Sequence, residues 1–489
     1  MLRRGRVGVR VACVGALALL TVTFAAADPS KGRLRKAIDR VVERPELAHA
    51  FWGIEVRSLR SGKTLYERNA DKAFRPASTL KLVTTAAALD AFGPDARFRT
   101  IVETAGRLDG LGRILDDVFL VGGGDPSLSG RFDEGSPTAA FETMADALVA
   151  AGVRRIEGRL VGHEGAFAGE RRGAGWTWED LAWGYGAEVS ALVFNDNVVH
   201  VTLAPGERAG DPAVLDVVPH TAFVPVVSTV VTTAAGTEED LTLDKPSGSN
   251  RVLLSGALPL NEDWEGDVAV EDPALFAATV FAEVLETKGI AVMGGVTTCS
   301  DPRPAAARVL VVHDGVPMER MIEEVNKESQ NLHAEILLRL LGLRVGGEGS
   351  AEMGHEAVEQ LLDRLEAPHA GWGLRDGSGL SHSNILTPRG LIALLVAMDR
   401  HAYAAVYRAS LAVAGVSGTL EERMRGTPAE GRVVAKTGTL RRVDALAGYV
   451  TTVRGERLAF AILVNNQVEL SSVAKDAIDD VAIVLATAR

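Results

Sequence analysis

Two hydrophobic rhythms alternate along the chain. Residues 51–57 read as a strand, Ser61-Gly62 as a turn and residues 63–67 as the returning strand. After Arg75-Pro76-Ala77, residues 78–92 are rich in Ala and Leu nearly all round. That pattern predicts a buried helix, ended by Gly93-Pro94. From about Arg97 to Ser300 the period changes. Short β-type runs at 118–121, 198–203, 214–218, 224–233 and 251–254 alternate with Gly, Asp and Pro turns. Two helical stretches, 138–151 and 273–288, are expected to pack on those sheets. Helical spacing returns at 331–341 and 352–365, both predicted to be amphipathic. Residues 432–435 form a short strand leading into Lys436, and 445–452 with 457–465 form a hairpin around Arg454-Gly455. The apolar run 481–485 reads as a core helix. Antiparallel strands flanked by helices predict an α+β host, residues 28–97 with 301–489. Residues 98–300 are expected to be a β-rich insertion, in one or two subdomains.

The first 27 residues follow another pattern. Arg3, Arg4, Arg6 and Arg10 precede an apolar run from Val11 to Phe24, and Ala25-Ala26-Ala27 offers a small-residue cleavage site. This is the layout of a secretory signal peptide, too short in its apolar part for a membrane span. An exported, extracytoplasmic protein with no integral span after cleavage is expected. Composition adds two restrictions. The formal net charge is −12, and loss of the leader arginines makes the remainder more acidic still. With no basic run and no interleaved aromatics, nucleic acid is not an expected partner. Of the two cysteines, Cys13 falls in the leader, which leaves Cys299 without an internal disulfide partner. It is expected to be a small buried residue following the strand-like 296–298. The ten histidines show no HExxH-type spacing, so a catalytic zinc is not expected.

Three short motifs carry the chemistry. In Ser78-Thr79-Leu80-Lys81 the lysine lies one helical turn beyond the serine. A serine hydroxyl needs a base, and burial together with a neighbouring cation such as Lys436 lowers a lysine's pKa far enough to supply one. The N–H groups of a helix start suit a developing oxyanion. On local sequence alone, a capping serine with an exposed lysine is the simpler account. In Ser329-Gln330-Asn331 the outer residues point different ways on a helix, so a turn before the Leu332 helix fits better. Ser329 could relay a proton there and Asn331 hold an amide, or either could merely cap the helix. Lys436-Thr437-Gly438-Thr439 fits an edge strand: Gly438 lets an extended substrate approach the backbone, the Thr439 N–H is a second oxyanion donor, and Lys436 and Thr437 suit a carboxylate. Asp376-Gly377-Ser378-Gly379-Leu380-Ser381 predicts a tight turn, either structural or a cleft wall. Asn195-Asp196-Asn197 could hold a cation or a substrate polar group, but with no metal-ligand spacing around it the stretch is read as structural.

S-x-x-K, S-x-N and K-T-G in this order form the signature set of penicillin-binding proteins and class A β-lactamases. With Gly122-Gly123-Gly124-Asp125-Pro126, Phe194-Asn195-Asp196-Asn197 and the long insertion, the chain resembles the class C low-molecular-mass penicillin-binding proteins, the D-alanyl-D-alanine carboxypeptidase/endopeptidases of peptidase family S13. The resemblance implies a penicillin-binding/β-lactamase-like fold and a serine DD-peptidase acting on peptidoglycan stem peptides, with β-lactams as inhibitors and no cofactor. Ser78 would be the nucleophile, Lys81 its base, Ser329 the proton relay, and Asn331, Lys436, Thr437, Gly438 and Thr439 the substrate contacts. The chain departs from the family's usual Arg after the Asp376 motif, where it has His382-Ser383, and from the usual Gln after Lys-Thr-Gly, where it has Arg441-Arg442. Both departures bear on the third stem-peptide residue. A β-lactamase or esterase on the same scaffold, and a non-catalytic penicillin- or peptidoglycan-binding sensor, are the competing readings.

Overall fold

The computed structural model describes residues 29–132, 135–468 and 471–488; the expected leader lies outside them. A six-stranded sheet forms the host, in the order Ala412–Val413, Val433–Leu440, Val443–Thr451, Arg457–Asn465, Phe51–Ser58 and Thr64–Arg68. Every neighbouring pair is antiparallel. Its centre is buried on both faces: Val443 to Val450 and Leu458 to Asn465 are continuously buried. Such strands read as near-continuous apolar runs, interrupted here by Asp444, because helices cover both sides. Ser471–Ala486 and Pro29–Val42 pack on one face, and the Lys81–Phe92 and Asn331–Gly346 helices lie in the core on the other.

The Asn331–Gly346 helix differs from its predicted amphipathic character. Asn331 to Gly342 are all buried, charged residues included. The Lys81–Phe92 helix packs on one side and Ala351–Arg364 on another. At Gly354, a methyl group would overlap the Leu338 carbonyl, so a larger residue would force the last two helices apart. A helix enclosed this way is apolar nearly all round, and the polar side chains it carries need partners.

The inserted segment builds the remaining four sheets. Its five-stranded sheet joins Val296–Cys299, Leu160–His163, Val118–Gly122, Arg99–Thr104 and Arg308–Asp314. The last two strands pair antiparallel, and Gly315 N–H donates to the Phe98 carbonyl at 2.8 Å. Residues 308–314, beyond the boundary expected at 300, thus share a sheet with residues 99–104. Cys299 lies within the terminal strand of this sheet and is half-exposed, contrary to the expectation that it is buried. Edge position explains the difference: that strand has a neighbour on one side only.

Candidate active site

Ser78 sits in a 3-10 turn, Ala77–Leu80, that runs directly into the Lys81–Phe92 α-helix. In 3-10 geometry residues i and i+3 eclipse, so Ser78 and Lys81 are aligned more closely than on an α-helix. Lys81 is fully buried. Its Nζ lies 2.8 Å from Ser78 Oγ, 2.6 Å from Asn331 Oδ1 and 2.7 Å from the Ser378 carbonyl. The two carbonyl oxygens can only accept. A neutral amine gives them its two hydrogens and keeps its lone pair for the Ser78 hydroxyl proton. Burial pushes the Lys81 pKa down to about 7, against the opposing charges of Asp376 and Glu335. Desolvation thus does what the sequence reading had assigned partly to a neighbouring cation.

Ser329 occupies the break between helices Met318–Lys327 and Asn331–Gly346, in a left-handed conformation with φ 64°. The capping role falls to Gln330, whose side chain accepts from Leu332 N–H at 2.9 Å. Ser329 and Asn331 are left for other contacts. Asn331 Nδ2 donates to the Tyr185 carbonyl at 2.8 Å while its Oδ1 receives Lys81. Ser329 Oγ lies 2.9 Å from Lys436 Nζ, which also reaches the Thr437 carbonyl at 3.0 Å. Lys436 is buried, and burial followed by the charge of Lys81 holds its pKa well below the ordinary lysine value.

Lys436 to Thr439 lie on the strand Val433–Leu440. That strand pairs along its full length on one side, but on the other only Val434 and Ala435 are matched. The motif therefore presents an open edge, as expected. At Gly438, a methyl group would press within 3.0 Å of Pro76 O and Ser78 N. Glycine is what lets this strand close on the nucleophile turn. Thr437 Oγ1 donates to Thr419 Oγ1 at 2.8 Å, and Thr439 Oγ1 donates to Asp444 at 2.9 Å. Ser78, Ser329, Asn331 and Thr439 line one cleft of about 670 Å³. His382 and Arg441 line it too, with Asp180 and Tyr185 from the insertion; Arg442 does not.

Several contributors escaped the sequence reading. Glu335, fully buried on the Asn331 helix, accepts from Gly377 N–H at 3.0 Å and Ser378 N–H at 2.8 Å. Burial, and then the charge of Asp376, raises its pKa to about 7. Asp376 accepts from Gly379 N–H, Ser381 N–H, Asn384 Nδ2 and Trp176 Nε1 at 2.6–3.0 Å. Together they fix the loop that offers its Ser378 carbonyl to Lys81, with Leu380 lining the cleft. The turn is thus both structural and a cleft wall. At Gly379, φ is 86° and a methyl group would fall on the Ala77 carbonyl. The available signal for Glu335 was a carboxylate one turn beyond Asn331 in a helix rich in Leu.

Residues 34–488 match the model of the D-Ala-D-Ala carboxypeptidase 3 (S13) family. The chain belongs to this family. It is accordingly a peptidase of the serine type. It is similar to a D-alanyl-D-alanine carboxypeptidase of Actinomadura sp. (strain R39), at 37% identity over 92% of this chain and 84% of that one. A D-alanyl-D-alanine carboxypeptidase DacB of Haemophilus influenzae is 25% identical over 84% of this chain and 85% of its own. Among solved structures, penicillin binding protein 4 from Haemophilus influenzae superposes with a TM-score of 0.80 at 23% identity, covering 92% of this chain and 99% of that one. The fold is the expected penicillin-binding/β-lactamase-like α+β type. Among the described residues no helix is long and apolar enough to cross a membrane.

Proposed function

We propose that the protein is an extracytoplasmic serine DD-peptidase that cleaves D-Ala-D-Ala ends and D-Ala-diaminopimelate cross-links of peptidoglycan stem peptides through an acyl-enzyme on Ser78. The observation that carries this reading is the Lys81 amine: buried, 2.8 Å from Ser78 Oγ, with its two hydrogens committed to carbonyl oxygens. Lys81 takes the Ser78 proton as Oγ attacks the D-alanine carbonyl. The N–H groups of Ser78 and Thr439 receive the oxyanion. Ser329 passes its proton to the departing amine and is reprotonated by way of Lys436, 2.9 Å away. Once Lys81 has given up its proton to the Ser329–Lys436 relay it is neutral again; it then takes a proton from the attacking water and returns it to Ser78 Oγ as the acyl group leaves.

The stem peptide is read as an added strand along the open edge at Lys436–Thr439, its carboxylate end near Lys436 and Thr437. A β-lactam would acylate Ser78 from the same position. Arg441 and Asp180 line the cleft with charges of opposite sign, which suits a zwitterionic third-position side chain. The test is mass spectrometry of cross-linked muropeptide dimers and pentapeptide monomers after incubation with the protein and with Ser78→Ala. Monomers released from dimers, absent with the variant, support endopeptidase action. Loss of one alanine from pentapeptides supports carboxypeptidase action. No change in either substrate would put a non-catalytic binding role in its place.

A further inference from the structure

We propose that Asp196, contributed by the inserted segment, is a positioning residue for the Ser329-Gln330-Asn331 turn and so for proton delivery by Ser329. The inference rests on the mechanism proposed above and extends it to a part of the chain that the sequence reading treated as structural.

Asn195, Asp196 and Asn197 are three successive left-handed residues, with φ of 47°, 54° and 55°. Asn and Asp enter this region more readily than other residues, yet a run of three persists only where the surroundings dictate it. Here they push one buried carboxylate against the second motif. Asp196 Oδ1 pairs with His333 Nε2 at 2.8 Å. Its Oδ2 accepts from Arg131 Nη2 at 2.8 Å and from Gln330 Nε2 at 3.1 Å. Gln330 uses its other end, Oε1, to cap the Leu332 N–H at 2.9 Å. Arg131 also approaches Glu324 at 3.5 Å, on the helix that precedes the turn. One carboxylate therefore ties together the helix before Ser329, the residue after it and the first turn of the helix that follows.

Ser329 needs such a frame, because its own φ of 64° is unfavourable for a residue with a Cβ. The insertion grips the motif a second time where Asn331 Nδ2 donates to the Tyr185 carbonyl. Between these two grips the Ser329 hydroxyl meets Lys436 Nζ at 2.9 Å. A shift of the turn would open that contact first. The insertion is then a working part of the catalytic centre, beyond any role in reaching the wall.

The test uses two substrates with the same acyl group. An amide leaves as an amine that must be protonated; a thioester leaves as a stable thiolate that needs no proton. Steady-state turnover of an N-acylated D-alanyl-D-alanine and of the matching D-alanyl thioester is measured for the full chain, Asp196→Asn and Ser329→Ala. Asn cannot accept from His333, Arg131 and Gln330 together. The expected result for Asp196→Asn is a fall in amide kcat of tenfold or more, KM within twofold, and thioester kcat within threefold of the parent. A parallel fall on both substrates would assign Asp196 a general structural role and overturn the proposal. So would unchanged amide turnover. Should Asp196→Asn not fold, Gln330→Met is read by the same criterion, since it removes the link and leaves the Asp196–Arg131–His333 cluster intact. Parallel loss in Ser329→Ala would instead overturn proton delivery by Ser329 itself, a failure visible without the Asp196 variant.

Discussion

Acylation of Ser78 should follow the titration of a lysine displaced to neutral pH. An ordinary lysine near 10.4 is neutral at pH 7 in only about 4 molecules in 10,000. At a pKa of about 7, half are neutral. The buried setting thus raises the population of competent base roughly a thousandfold, equivalent to about 4–5 kcal/mol of differential solvation. The perturbation is pH itself, and the assay is stopped-flow acylation by a fluorescent penicillin at concentrations below saturation. The second-order constant should climb with unit slope from pH 5, where it is about a hundredfold below its maximum, and level off above pH 8. Glu335 also titrates near 7, so Glu335→Gln is the control. Removing an opposing negative charge lowers the Lys81 pKa further, and the acid limb should persist and move to lower pH. A rate independent of pH between 5 and 9, or a limb near pH 10, would refute Lys81 as the base. Disappearance of the limb in Glu335→Gln would transfer the role to the carboxylate.

Linkage gives a second readout of the same group. The folded Lys81 pKa lies below its unfolded value, so between pH 7 and 10 the unfolded chain binds more protons and stability rises with pH. Denaturant titrations should show Lys81→Met losing up to about 1.4 kcal/mol per pH unit of that rise. Gly379→Ala, forced to φ 86° with its methyl on the Ala77 carbonyl, should cost about 1–3 kcal/mol in the same assay and slow Ser78 acylation as the turn is displaced. Leu337→Ala, in the core of the central helix, should cost about 2–5 kcal/mol by urea denaturation, with acylation of the folded fraction unchanged. Lys436→Ala should raise KM for peptides ending in a free carboxylate more than for their amidated counterparts, measured by release of D-alanine or its amide.

The motifs of the candidate site were legible because each joins a fixed spacing to an unusual context, such as a lysine opening a helix rich in Ala and Leu. The same logic found the central strands, expected at 445–452 and 457–465, because the runs 445–450 and 458–464 carry no charged residue and no competing period. The Asn331–Gly346 helix was misjudged because His333, Glu335 and Arg339 look like a solvent face. Each is buried against a partner from distant sequence: Asp196 for His333, the 377–378 amides for Glu335, and the Ala168 and Glu170 carbonyls for Arg339. Charge alone does not mark exposure when the groups that satisfy it come from distant parts of the chain. Residues 308–314 were not read as a strand for a related reason. The strand Arg308–Asp314 is half exposed and borders Pro-rich sequence, so its pairing with residues 99–104 leaves little local trace. The Asp196 turn was discounted because its function lies in what it touches rather than in its spacing.

That antiparallel return, sealed by Gly315 on Phe98, has a consequence for how the chain folds. Closing a flexible loop of roughly two hundred residues costs about 5 kcal/mol in configurational entropy. If the host had to bring Arg97 and Val316 together across an unstructured segment, that term would fall on its own nucleation. Because the insertion's first and last strands pair with each other, a folded insertion delivers its two ends already adjacent. The host then sees a short connection, and the Ser78 and Ser329 halves of the site can meet as near neighbours along the effective chain. The route implied is an insertion that forms its sheets first, with the catalytic residues assembling afterwards on a host whose longest loop has already been closed.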